Sequence, residues 1–259
     1  MLYNDSAFDC FCITESWLHD EISNGLLDPK SMYTLIRCDR TISRGGGVCI
    51  FVRNEFKIHS VELASVPIGI DVVCFDLLES NVPYRFFVVY RPPTSCAGRL
   101  TDVSPAECMK QLTACLELNV NGQGPTVIMG DFNCPDIDWD SLCSGSDQCS
   151  RQLFNFVTFN GFVQCVTKPT RAANFLDLVF SNDPLIVSST HNSPPFGTSD
   201  HDSVAVDIVF STKSAAAGKI NSEPSKKYLW DKCDYASMSA FLACYDWNTV
   251  FMYTLTADS

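Results

Sequence analysis

PTVIMGDFN, residues 125–133, combines a short apolar run with an acid and an amide that follow it at once. Residues 127–129 form the apolar run, which is typical of a strand buried on both faces. Gly130 allows the backbone to turn closely after it. Because residues i and i+2 of an extended chain point the same way, Asp131 and Asn133 are expected to project together from the end of this strand. A plain Asp/Asn turn is the alternative interpretation of this stretch taken alone.

Length and composition indicate one large domain, or one domain with an appendage, in a chain of 259 residues. A hydrophobic content of 46% and an aromatic content of 12% are sufficient for a packed core. Apolar runs fall well short of the ~20 residues that a membrane span needs, and residues 1–6 do not resemble a secretory signal. We therefore expect an intracellular protein with no membrane contact.

The net charge of −12 argues against a protein that coats nucleic acid through a basic surface. It is compatible with an enzyme that grips a phosphodiester through a bound cation. The 14 cysteines contain no CxxC pair, which disfavours a zinc cluster. Several cysteines lie inside apolar runs, where a free thiol packs as a small hydrophobe. Such runs hold Cys10, Cys12, Cys49, Cys74 and Cys165, and for the cysteines as a whole we expect core packing or incidental surface thiols rather than a disulfide framework.

Polar residues stand at the boundaries of further predicted strands. Glu15 follows the apolar run 8–14, and Tyr90 ends a strand that stops at Arg91-Pro92-Pro93, because proline cannot continue a central strand. Asp177 lies inside the apolar run 175–180, where a carboxylate is costly unless it is paired. An adjacent acid and imidazole, Asp200 and His201, precede the last clear strand, 204–210.

A helix is predicted from Ser104, which serves as its cap, with Pro105 in the first turn and Glu107 three residues after the serine. A second helix is predicted over residues 151–159. The glycines at 45–47 lack the Lys-Ser/Thr ending of a phosphate-binding loop, so a hairpin turn between strands is the better interpretation.

Six motifs in this order resemble the endonuclease/exonuclease/phosphatase superfamily and, more closely, the endonuclease domain of non-LTR (LINE-type) retrotransposon polyproteins. The resemblance covers residues 8–210. The motifs are Ile13-Thr-Glu-Ser-Trp-Leu18, Gly45-Gly-Gly-Val48, Val89-Tyr-Arg-Pro-Pro93, Gly130-Asp-Phe-Asn133, Leu176-Asp-Leu-Val179 and Ser199-Asp-His201.

This resemblance implies an α/β fold of the α+β type, a four-layer sandwich of two mixed, mostly antiparallel β-sheets flanked by helices. It also implies a divalent metal held by Glu15 with help from Asp200. Magnesium is the expected ion, with manganese as the alternative, since magnesium prefers oxygen ligands and keeps several waters.

The resemblance also assigns roles in phosphodiester hydrolysis. Asp131 would orient or deprotonate the attacking water, and Asn133 would bond to the phosphate or to that water. Tyr90 would contact the phosphate, and His201 would donate to a phosphate oxygen while Asp177 orients it. Whether Asp131 or His201 is the general base stays open.

Further substrate contacts are expected from Thr170 and Arg91. Arg44, Arg99, Lys168 and Arg171 also lie in predicted loops, where each either meets phosphate or is an ordinary solvated charge.

The family normally begins with a strand that ends in an active-site Asn, and nothing before Phe8 matches it. We therefore interpret residues 1–210 as an endonuclease/exonuclease/phosphatase domain that lacks its first strand. A linker is predicted at 211–224 and a helical tail at 225–259, leading toward an absent reverse transcriptase.

Three functions follow from these observations. The first is a metal-dependent DNA endonuclease that nicks target DNA to prime reverse transcription, acting in the nucleus. A catalytically dead remnant that persists as a folded or binding module is the second. The third is a phosphoesterase that acts on small phosphate esters.

Overall fold

The computed structural model describes residues 8–41, 45–93, 103–120, 122 and 124–210. These residues fall within one unit, Met1–Lys213. The predicted linker, the predicted tail, Arg44 and Arg99 lie outside the described residues, so the predicted domain boundaries stay predictions. None of the helices in the described part of the chain has the length and apolar character that crossing a bilayer requires.

A six-stranded mixed sheet forms the centre of the fold, in the order β4-β5-β6-β7-β9-β8. The β6–β7 pair is parallel, and the other four pairs are antiparallel. Every residue of β5 is buried, as expected of a strand covered on both faces. The six strands are β4 (Ile58–Val61), β5 (Asp71–Leu77), β6 (Tyr84–Tyr90), β7 (Thr126–Asp131), β8 (Val163–Gln164) and β9 (Asp177–Ser181).

Two smaller antiparallel sheets form the second strand layer. One has the order β1-β3-β2, and the other is the β10-β11 pair. The glycines at 45–47 lie in the connection between β2 and β3, as predicted. These strands are β1 (Cys10–Thr14), β2 (Tyr33–Cys38), β3 (Val48–Arg53), β10 (Val187–Ser193) and β11 (Ser203–Ile208).

Two amphipathic helices cover the outer face of the large sheet. They are α2 (Pro105–Asn119) and α3 (Gln148–Phe159), and the short α1 (Asn24–Leu27) lies earlier in the chain. The Ser104 hydroxyl accepts a hydrogen bond from the Glu107 amide at 3.2 Å, so the predicted cap is present. One apolar cluster joins α2 and α3 to that face, with Met109, Leu112 and Leu153 fully buried in it.

A second apolar cluster lies between the strand layers, where Val48 and Ile50 of β3 pack with Val73, Val88 and other residues of the large sheet. A third, smaller cluster on the far side of β3 includes Leu27 of α1. The layers are therefore helices, large sheet, smaller sheets, and α1 with its flanking chain. The predicted α/β sandwich is confirmed.

Strand β1 differs from its neighbours in exposure. Its residues Cys10 and Cys12 lie opposite Val52 and Ile50, whose side chains face the core between the sheets. Both cysteines are nevertheless exposed, because β1 pairs with β3 alone among the described strands. The prediction that these two thiols pack in the core is therefore wrong, whereas Cys49 and Cys74 are buried as expected.

Candidate active site

Strand register brings three of the predicted site residues to one level of the large sheet. Tyr90 pairs with Asp131 across the parallel β6–β7 ladder, and Asp131 pairs with Asp177 across the antiparallel β7–β9 ladder. Each of these residues lies at one end of its strand. The end of β7 therefore lies between a phenol and a second carboxylate.

Gly130 does not form a turn, because β7 continues through it to Asp131. A glycine is needed there because the backbone of Val89 in β6 lies very close. The φ of Gly130 is +137°, and a Cβ at this position would lie 1.9 Å from the carbonyl oxygen of Val89. Residues other than glycine rarely adopt that backbone conformation. The contact between β6 and β7 that aligns Tyr90 with Asp131 therefore depends on a glycine.

The chain turns sharply after Asp131, which differs from the extended geometry predicted from the sequence. Asn133 has a φ of +47°. Its backbone amide donates to Asp131 Oδ1 at 3.0 Å, and its side-chain Nδ2 donates to Asp131 Oδ2 at 2.7 Å. The same Nδ2 donates to the carbonyl of Arg91 at 2.9 Å. The two side chains meet as expected, but through an Asx-type turn.

Arg91 lies beneath this turn and is only 2% exposed. Its Nη1 donates to the carbonyl oxygens of Phe132 and Asn133 at 3.0 and 3.1 Å. The sequence predicted a loop arginine that contacts substrate phosphate, and the structure instead places its guanidinium against the backbone. Arg91 thus acts as a positioning residue for Asp131 and Asn133.

His201 reaches the cluster from the segment before β11. Its Nδ1 lies 2.8 Å from Asp177 Oδ2, and its Nε2 lies 4.0 Å from Asp200 Oδ1. This hydrogen bond is the main reason why the pKa of His201 is raised, and the charges of Asp177 and Asp131 add to it. The imidazolium form is favoured as a result.

Thr170 supports this pair from beneath, and it is 1% exposed. Its hydroxyl accepts hydrogen bonds from the backbone amides of Leu176 and Asp177, at 3.2 and 3.1 Å. Substrate contact was predicted for this residue. The structure places it instead where it fixes the start of β9.

Asp131 carries the most perturbed carboxyl group of the site. Burial, followed by the charge of Asp177, raises its pKa to about 7, while His201 and the amides of Asn133 act in the opposite direction. One ligand atom each from Asp131, Asp177 and His201 lies within 4.8 Å of the others. Two carboxylates this close favour either a shared proton or a bound cation.

Glu15 accepts a hydrogen bond from the Tyr90 hydroxyl, which connects the end of β1 to the end of β6. Burial has the largest effect in raising the pKa of Tyr90, and this hydrogen bond and the charges of Glu15 and Asp131 raise it further. Tyr90 is therefore neutral at physiological pH and serves as a hydrogen-bond donor.

Sequence reasoning missed Arg40 as a neighbour of this site. Its guanidinium carbon lies 5.4 Å from the centre of the Tyr90 ring, and its Nη2 forms an ion pair with Asp71 at 2.6 Å. Both side chains are 7% exposed. Asp71 is an acid at the start of the largely apolar β5, and this is the signal in the sequence that points to a buried partner.

Asp200, the second predicted metal ligand, forms an ion pair with Arg171. Its Oδ2 lies 2.5 Å from Arg171 Nη2, and its side chain is 68% exposed. The other donors of the site, carboxylate oxygens from Glu15, Asp131 and Asp177, match what magnesium and manganese prefer. The residues present therefore fit a divalent cation.

The comparisons with known proteins agree with this geometry. The profile of a family described as "Endonuclease-reverse transcriptase" matches residues 84–205. This segment contains Tyr90, Asp131, Asp177 and His201. The chain is similar to the endonuclease/exonuclease/phosphatase superfamily over this segment, as the sequence predicted. No curated protein matches it by sequence.

Solved structures of this superfamily share the fold. The endonuclease domain of TRAS1, a telomere-specific non-LTR retrotransposon, has a TM-score of 0.53 at 12% identity and covers 70% of this chain and 81% of its own. The 3′ phosphatase NExo from Neisseria, bound to a product DNA hairpin, has a TM-score of 0.60 at 13% identity, covering 81% and 92%. An AP endonuclease from Archaeoglobus fulgidus has a TM-score of 0.56 at 15% identity, covering 77% and 88%.

Proposed function

We propose that this chain is a divalent-metal-dependent DNA endonuclease, which hydrolyses a phosphodiester bond of target DNA and leaves a nick that primes reverse transcription. The cluster of Asp131, Asp177 and His201 carries the proposal. It combines an acid of raised pKa, an imidazole held by a carboxylate, and surplus negative charge that suits a cation. Hydrolysis of a phosphodiester needs these three elements.

The proton-transfer roles follow from the two environments. Asp131, with a pKa of about 7, takes a proton from the attacking water, because a general base works best when its pKa lies near the operating pH. His201 keeps its proton and donates from Nε2 to a phosphate oxygen, since Asp177 holds Nδ1. Asp131, and not His201, is therefore the proposed general base, a choice that the sequence left open.

The remaining groups position the substrate. Glu15 is the proposed ligand of magnesium, or of manganese in its place, and the bound ion would neutralise charge on the phosphate oxygens. Tyr90 donates its hydroxyl proton to Glu15 in the structure and would donate to the phosphate when substrate binds. Asp200 takes part in metal binding only if Arg171 releases it.

The role in retrotransposition rests on the comparisons. The matched family is described as "Endonuclease-reverse transcriptase", and the TRAS1 domain comes from a non-LTR retrotransposon. Both support target DNA as the substrate and a reverse-transcriptase domain as the partner within a longer homologous polyprotein. An enzyme that primes synthesis on chromosomal DNA acts in the nucleus, and the proposal extends to that compartment.

Nicking of supercoiled plasmid tests the proposal, with purified protein in magnesium or in EDTA. We expect magnesium-dependent nicking that falls by about 10²–10⁴ in His201→Ala and in Asp131→Asn, the range for loss of an acid or base. His191→Ala and Asp140→Asn change an exposed histidine and an exposed aspartate and serve as matched controls. Folded protein that leaves plasmid intact in magnesium and in manganese contradicts the proposal and favours a catalytically dead remnant.

A phosphatase is the second candidate, because the structural neighbour NExo is a 3′ phosphatase. The same assay separates the two functions when a DNA duplex carrying a 3′-phosphate is included. Faster release of inorganic phosphate than nicking would identify the chain as a phosphatase.

A further inference from the structure

Trp17 is a large aromatic side chain that remains 55% exposed beside the candidate site. It lies two residues after Glu15, whose carboxylate bonds to Tyr90. A single exposed apolar residue is common on protein surfaces. The backbone around this tryptophan, however, is unusual.

Glu15 and Trp17 both have left-handed backbone angles, with φ values of +50° and +53°. Such angles are uncommon for residues other than glycine and cost about 1 kcal/mol or more each. Two hydrogen bonds hold the segment in place, from the Ser16 amide to the Gly47 carbonyl at 3.2 Å and from the Trp17 amide to the Gly46 carbonyl at 2.9 Å. The fold therefore maintains a strained segment that presents an indole to solvent.

The indole of Trp17 lies next to Gly45. A Cβ on Gly45 would lie 3.4 Å from Trp17 Cε2, and the φ of that glycine is +84°. A side chain at position 45 would therefore stand at van der Waals distance from the ring, and its backbone conformation would be strained. The contact supports one side of the ring before any ligand arrives, which lowers the entropic cost of binding.

Position along the chain identifies the ligand. Two residues span at most about 7 Å, so the indole lies within one or two nucleotides of a phosphate held near Glu15. Aromatic rings bind nucleic acid strands by stacking on bases, at about 1–3 kcal/mol per base, and every base offers such a face. A small phosphate ester held at the same point has no base to place against the ring.

We infer that Trp17 stacks on a base of the DNA strand next to the phosphate held at the active site. This inference deepens the proposed endonuclease function and rests on it for the position of the phosphate. Trp17 is a substrate-binding residue that selects DNA over small phosphate esters. It does not take part in the chemical step.

Steady-state nicking of a duplex oligonucleotide tests the inference in wild type, Trp17→Ala, Trp17→Phe and Phe159→Ala. Phe159 is 83% exposed at the end of α3 and is the control for loss of an exposed aromatic. We expect Trp17→Ala to raise KM about 5- to 150-fold, the range that corresponds to loss of one stacked base, with kcat nearly unchanged. Trp17→Phe should keep most of the affinity, and Phe159→Ala should match wild type.

A second measurement does not depend on cleavage. The fluorescence of wild type minus that of Trp17→Phe reports on Trp17, and we expect DNA to shield this signal from acrylamide. If wild type nicks DNA, Trp17→Ala leaves KM unchanged and DNA does not shield the Trp17 signal, the inference is wrong and the endonuclease proposal stands. If the protein does not nick DNA but DNA still shields Trp17, the contact is supported and the endonuclease proposal fails.

Discussion

At the scale of single residues, the chemistry of the site depends on how Asp131 is held. Burial and the neighbouring Asp177 both disfavour its ionised form and raise its pKa to about 7. Two hydrogen bonds from Asn133 limit this effect and fix the carboxylate in one orientation. In the proposed mechanism such a carboxyl group is ready to act as a base at neutral pH, but its ionised form is costly in the folded protein.

That cost predicts how the stability of the metal-free protein depends on pH. A carboxyl group whose pKa is higher in the folded state than the ordinary value of 3.8 stabilises the fold below about pH 4, and this contribution is lost as the pH rises toward about 7. His201, whose pKa is also raised, acts in the same direction. We therefore expect Asp131→Asn, which stays neutral, to lose less stability than wild type between about pH 5 and pH 8.

Urea denaturation in EDTA at the two pH values measures this difference. Asp140→Asn, an exposed aspartate, controls for the loss of one carboxylate. Equal pH dependence in wild type and Asp131→Asn would contradict the raised pKa. Adding magnesium should reduce the loss in wild type, because a cation favours the ionised carboxylate.

Arg91 gives a second prediction at this scale. Arg91→Lys keeps the charge but cannot reproduce the planar guanidinium that bonds to the carbonyls of Phe132 and Asn133. We expect a loss of about 1–3 kcal/mol in the free energy of unfolding, because a buried carbonyl is left unsatisfied. Nicking should also fall at temperatures where the variant is folded.

The matched control is Arg151→Lys, since Arg151 is exposed on α3 and bonds to the Ser146 carbonyl. Its free energy of unfolding should change by less than about 0.5 kcal/mol. Equal effects of the two substitutions on stability and on nicking would show that Arg91 does not position the turn.

Sequence reasoning located the reactive groups better than the groups that hold them. Asp131 and Asp177 stand out because a carboxylate at the edge of an apolar strand is costly to bury unless it is paired or hydrogen-bonded. The supporting role of Arg91 was missed, because its partners are backbone carbonyls 41 and 42 residues away that no sequence pattern marks. The partner of Arg40 is likewise 31 residues distant.

At the scale of elements, apolar runs predicted the strands because most of them are buried on at least one face. Pairing partners and exposure depend on neighbours that are distant in sequence. The run at β1 predicted buried cysteines, yet Cys10 and Cys12 are exposed because no described strand covers that side. Gly130 was interpreted as a turn, yet it lies within β7 and permits the close contact with β6.

This contact predicts a strong effect of Gly130→Ala. The added methyl would lie 1.9 Å from the carbonyl oxygen of Val89, so the β6–β7 pairing must shift. We expect a loss of about 3 kcal/mol or more in the free energy of unfolding, at the upper end of overpacking substitutions. Gly25→Ala is the control, because a Cβ in α1 would approach only the Ser23 hydroxyl at 3.9 Å. Urea denaturation compares the two, and a small effect at position 130 would contradict the close packing.

At the scale of the whole molecule, charge is the feature that least resembles a nucleic-acid-binding protein. The chain carries 30 acidic and 18 basic residues. Many of the described arginines are already in ion pairs, as in Arg37–Asp39, Arg40–Asp71, Arg85–Asp76 and Arg171–Asp200. In the proposed endonuclease, few of these arginines are available to displace counterions from DNA, and affinity would come from the bound metal and from short-range contacts such as that proposed for Trp17.

This charge balance predicts a weak dependence of DNA binding on salt. A protein that neutralises six or more phosphates with lysine and arginine loses about 10³–10⁵ in affinity between about 50 and 200 mM salt. With at most about two such contacts, we expect this chain to lose about tenfold or less. Fluorescence anisotropy with a labelled duplex at constant magnesium measures the slope, and Arg171→Ala should make it shallower if that side chain leaves Asp200 for phosphate. A slope corresponding to six phosphates would show that lysines and arginines, and not the metal and Trp17, hold the DNA.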